Sequence, residues 1–142
     1  MSSETVLAIE RAHLLGLALW GGVGVLFGAG LVAYLIARRV RAGLLRHFAV
    51  QMAAWGAAEL IVAMLRWRGL APRDYAATTR LLAFVRVALL AEAVCIVIGA
   101  TLALGGWRVS RHPGTLGAGL GIVVQGAALL LLDGILLHRL AG

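Results

Sequence analysis

Four long apolar runs separated by short polar connections dominate the chain, at about residues 13–37, 48–65, 81–104 and 116–138. A helix of about 20 residues rising 1.5 Å per residue crosses the roughly 30 Å hydrocarbon layer, and each run is near that length. The period-two alternation of membrane strands is absent, so these segments must satisfy their own backbone polar groups as helices. Short connections make successive helices antiparallel. The pattern predicts an all-α, four-transmembrane-helix antiparallel bundle, with residues 1–142 as a single domain.

The connections carry the punctuation expected between spans. ARRVRAGLLRH, residues 37–47, concentrates Arg38, Arg39, Arg41 and Arg46 and reads as a short basic helix against anionic headgroups. RWRGLAPRDY, residues 66–75, ends one helix with Gly69 and Pro72 and offers Asp74 as the N-cap of the next. Gly24 and Gly28 in the first run form a small-xxx-small pair that admits a neighbouring helix at close range.

Composition agrees with a membrane setting. The chain is 62% hydrophobic and 13% charged, with a mean hydropathy of +0.97, against roughly half apolar and a quarter charged in soluble domains. The net charge of +7 comes from 13 basic residues, all arginine. They cluster at the ends of the apolar runs, where guanidinium groups meet lipid phosphates, so they point to membrane lipid and not to nucleic acid. Cys95 is the one cysteine and lies within a span, so no disulfide framework exists and it reads as a small hydrophobe.

Polar residues inside the spans are the candidate chemistry, because an ionisable group in a membrane helix is costly and normally has a partner. The last span, Leu116–His138, holds Gln125 and Asp133; the second holds Glu59; the third holds Arg86 and Glu92. Counting helical rise from the span ends places Glu59, Arg86 and Asp133 at a common depth, roughly 6–9 Å below one membrane face. The expectation is one cluster, with Arg86 holding two carboxylates through its planar fork. Glu92, Gln125 and Trp55 share a deeper level, where burial favours a neutral Glu92 donating to a backbone group or to Gln125.

These five residues, Glu59, Arg86, Glu92, Gln125 and Asp133, are candidates for binding a ligand or a proton. The competing reading is that they only decide which helix faces pack together. No nucleophile lies beside a base, and the four histidines show no metal-binding spacing, so no catalytic residue, metal or cofactor is indicated.

GAGLGIVVQGAALLLLD, residues 117–133, resembles the last helix of a family of small, uncharacterised bacterial four-helix membrane proteins, a domain of unknown function. Gln125, Gly126 and Asp133 match that pattern. EAVCIVIG, residues 92–99, is a weaker counterpart of another family segment, with Glu92 in an Asp position. QMAAW followed by Glu59 resembles a stretch that ends in Asn. The resemblance implies the architecture and no activity.

The sequence thus reads as a non-enzymatic integral protein of the bacterial cytoplasmic membrane, a helical bundle or subunit whose buried polar cluster organises the helices and is a candidate site for a small ligand. A homo-oligomer or a membrane partner subunit is expected, because four short helices shield so many polar groups poorly. A small proton-coupled transporter is the first alternative, and a lipid- or quinone-modifying membrane enzyme the second.

Overall fold

The computed structural model describes residues 2–142 as four helices: α1 Ser3–Ala37, α2 Gly43–Arg68, α3 Tyr75–Arg108 and α4 Pro113–Ala141. All four are long and apolar enough to cross a membrane. The helices outrun the apolar segments because local caps start them earlier. Ser2 Oγ accepts the Thr5 N–H at 3.2 Å, so α1 begins some ten residues before its apolar run. Asp74 caps α3, accepting the Ala77 N–H at 2.7 Å. Pro113 stands in the first turn of α4, where its missing N–H costs nothing.

The first connection departs from expectation. Arg38–Ala42 is a turn with Arg39 at φ 54°, and α2 has already begun at Gly43, taking Arg46 and His47 into its first turns. The chain must reverse direction within these few residues, which leaves no room for a separate basic helix.

The packing is inside-out relative to a soluble protein. Leu26, Leu19 and Leu90 are 77%, 71% and 69% exposed, while glycine, alanine, Glu10, Glu59, Glu92 and Gln125 fill the interior. An apolar surface of this extent belongs against lipid. α1 packs along α2, α4 lies against both, and α3 is held chiefly by α4. Glycines permit these approaches. A Cβ built on Gly56 would stand 2.5 Å from the Gly21 carbonyl, and one on Gly28 would collide with the Ala49 carbonyl. The Gly24–Gly28 pair of the first span therefore lies in the α1–α2 contact, as its spacing predicts.

One aliphatic cluster ties α3 to the others near the chain termini: Val6 from α1, Leu81 and Val85 from α3, and Leu136 and Leu140 from α4. Beyond it, α2 and α3 stand apart across the face of α4, and a cleft separates them.

Candidate functional site

The polar interior forms a ladder down the buried side of α1. Val6, Glu10, His13, Leu14, Leu17, Gly21, Gly24 and Gly28 are all buried, at the three- and four-residue spacing of one helical stripe. From Glu10 to Trp20 this stripe descends about 15 Å.

Its outermost rung is the Glu10 carboxylate, 0% exposed. Arg73 grips it in a bidentate pair, Nε to Oε2 and Nη2 to Oε1, both at 2.7 Å. Arg66 Nη2 donates to Oε1 at 3.3 Å. The bond from Glu10 stabilises the charged form of Arg73 and raises its pKa above the ordinary arginine value. Arg66 also lies over the Phe84 ring, 5.5 Å from its centroid, so one guanidinium links α1, α2 and α3.

The next rung is His13 against Asp133, with Nε2 3.2 Å from Oδ1, an ion pair when the ring is protonated. Glu92 of α3 faces the same Asp133, and its Oε2 is buried with no hydrogen-bond partner. Glu59 of α2 is 4% exposed, and neither of its carboxylate oxygens has a partner. The innermost rung is Gln125, 1% exposed. Its Oε1 accepts the Trp20 indole N–H, and its Nε2 donates to the Met52 carbonyl at 3.3 Å. Gln125 thereby ties α4 to α1 and α2.

Two of the expected contacts are replaced. Arg86 does not join Glu59 and Asp133. It is exposed on α3, at a groove of about 490 Å³ shared with Arg73, Asp74, Tyr75 and Thr78. A level along the helix axis says nothing of direction around it. Glu92 likewise faces Asp133, since the Gln125 amide is already engaged by Trp20 and Met52. The guanidinium beside the carboxylates is that of Arg66, from the end of α2.

Glu10 and His13 are absent from the sequence candidates because the apolar run begins only at about residue 13, with Glu10 ahead of it and His13 at its edge. The signal was available: both fall in register with the glycine stripe further along the same helix.

Glu59, Glu92, His13 and Asp133 line a cavity of about 210 Å³ at the base of the α2–α3 cleft. A second cavity, of about 230 Å³, adjoins it. Trp55, Ala88, Glu92 and Leu129 line both, so the two are neighbouring chambers of the α2–α3 cleft divided by a shared wall. Arg66 and Gln125 also line the cleft, and the remaining walls are apolar and aromatic, including Val62 and Phe84. Among the described residues, no three His, Cys, Asp or Glu side chains are gathered as metal ligands.

The role of Gln125 is open to a direct check. Replacing it with Leu keeps the volume but leaves the Trp20 N–H without its acceptor. Interhelical hydrogen bonds in membranes contribute about 0.6 kcal/mol on average and up to about 1.7. Gln125→Leu is expected to cost about 1 kcal/mol in reversible unfolding in bicelles, with a shifted Trp emission. An unchanged spectrum and stability would remove Gln125 from the scaffold.

Residues 16–134 match a family of unknown function (DUF6992). No curated protein and no solved structure matches the chain.

Proposed function

The chain belongs to that family of unknown function, and from this premise we propose that it is a non-enzymatic bundle of the bacterial cytoplasmic membrane whose α2–α3 cleft accepts a small polar-headed ligand. One observation carries the reading: Glu59 lines the cleft, is 4% exposed, and has no partner on either carboxylate oxygen. A carboxyl group used only to orient helices would be expected to end in a bond to another helix, as Glu10 and Gln125 do. An unpartnered one adds no packing specificity and leaves acceptors available to a guest. At about 210 Å³ and 230 Å³, the two chambers fall below the roughly 300–1,000 Å³ of drug-sized pockets, so the guest is small or inserts one end.

A small proton-coupled transporter is the second reading. What favours it is the ladder itself, in which titratable groups follow one another from Glu10 through His13, Asp133 and Glu92 towards mid-depth. The exposed face of α1, open at Gly22 and Gly30, would suit a second copy or a partner subunit.

Native mass spectrometry of the protein released from nanodiscs, with an absorption spectrum of the same sample, tests the binding reading. A reproducible added mass, lost when Ala88→Phe fills the cleft, is the expected result. A bare mass under all lipid compositions would overturn it, and proton flux in liposomes would then decide for transport. Glu59→Gln is expected to keep stability within about 1 kcal/mol of wild type, because no partner is lost. A loss of several kcal/mol by the same unfolding assay would return Glu59 to a scaffold role.

A further inference from the structure

The charges around the cleft do not balance. Glu10, Glu59, Glu92 and Asp133 bring four carboxyl groups, and Arg66 and Arg73 bring two guanidiniums. Arg73 is committed to Glu10, and Arg66 divides itself between Glu10 and the Phe84 ring. His13 is turned to Asp133. Both Glu59 oxygens and Glu92 Oε2 are therefore buried in the wall of the cleft with no cation bonded to them, although Arg66 lines the same chamber. Two positive charges must make up the difference, either two protons or one proton and an incoming monocation.

Resting on the ligand-binding reading above, we propose that the cleft binds a small organic monocation, an ammonium group on an apolar body, which enters sideways from the bilayer between α2 and α3. An ammonium head brings the donors that Glu59 and Glu92 lack. Trp55 lines the same cleft, and an aromatic ring attracts a cation more strongly in a water-poor site, as Phe84 already holds Arg66. Ala88, Leu129 and Val62 accept the apolar body. Because the monocation takes the place of one of the protons on Glu59 and Glu92, its binding and that proton's compete. Every other charged group facing these two carboxyls (His13 on α1, Arg66 on α2, Asp133 on α4) already has a protein partner.

The test uses the full chain in zwitterionic nanodiscs, with phenethylammonium as probe and 2-phenylethanol as its neutral counterpart, read by native mass spectrometry and by Trp fluorescence. Phenethylammonium is expected to bind more tightly at about pH 8 than at about pH 6, gaining up to about 10-fold per pH unit for each proton displaced. The neutral alcohol is expected to bind at least about 10-fold more weakly and without pH dependence. Glu59→Gln combined with Glu92→Gln should abolish both the preference for the cation and its pH dependence. If that double variant does not fold, Ala88→Phe, which leaves both carboxyls in place, should abolish binding by filling the cleft. Equal binding of alcohol and ammonium would overturn the cation assignment while leaving a ligand cleft. Binding of neither would overturn both. Displacement of the probe by equimolar sodium would assign the site to an inorganic cation and overturn the organic one.

Discussion

Glu10→Ala is expected to destabilise the fold by about 3 kcal/mol, the larger of the two effects the geometry predicts. The wild-type carboxylate is fully buried and takes three hydrogen bonds, two of them a bidentate pair at 2.7 Å. Removing it leaves two guanidiniums facing each other across a small cavity. Breaking a buried ion pair typically costs roughly 3–5 kcal/mol. The Arg66 and Arg73 side chains are 24% and 27% exposed, so water and headgroups screen part of the loss, and the low end of that range applies. The contact also anchors the N-terminal turns of α1 to the α2–α3 connection. Proteolysis near Pro72 should therefore accelerate together with unfolding. Reversible unfolding in bicelles with limited proteolysis measures both. A variant as stable and as resistant as wild type would show that the arginines find equal partners elsewhere.

Gly56→Ala is expected to separate α1 from α2 or to leave no folded bundle. The added methyl would stand 2.5 Å from the Gly21 carbonyl and 2.8 Å from the Val25 nitrogen, both backbone atoms that no rotamer change can move. Overpacking usually costs about 1–3 kcal/mol, and a backbone-to-backbone clash belongs at the upper end. Gly22→Ala is the control, since nothing lies within 4 Å of its added methyl. That change is expected to fall within about 0.5 kcal/mol of wild type. Engineered cysteines on α1 and α2 read the separation directly through their cross-linking rate. Equal stability for the two substitutions would mean that α1 and α2 do not cross at Gly56.

The site was legible in part, and the part that was missed has a common cause. Glu59, Glu92, Gln125 and Asp133 stood out because a polar residue in an apolar run has few reasons to be there. Arg86 stood out for the same reason, yet it faces a different groove from the one to which Asp133 belongs. Helical rise assigns a depth to each residue, but successive residues turn by about 100° around the axis, so residues at equal depth need not meet. Glu10 and His13 were missed for the converse reason. They lie at the edge of hydrophobicity, where composition no longer distinguishes helix from leader, and only the continuing stripe of buried positions shows that the helix has begun.

Sequence alone determined the four helices, their antiparallel succession and the presence of an unusually polar interior, because bilayer thickness and backbone hydrogen bonding leave almost no other solution for such a chain. It also marked the glycines as points of close approach. Which glycine meets which carbonyl was a matter for the tertiary structure. So was the assignment of Arg66 and Arg73 to Glu10, of His13 to Asp133, and of Trp20 to Gln125. These pairings depend on the rotation of each helix about its own axis, which the summed fit of all four helix faces decides and no single span encodes. The cleft follows from the same fit: α3 packs on α4 and leaves α2 across a gap, and that gap has Glu59 and Glu92 in its wall.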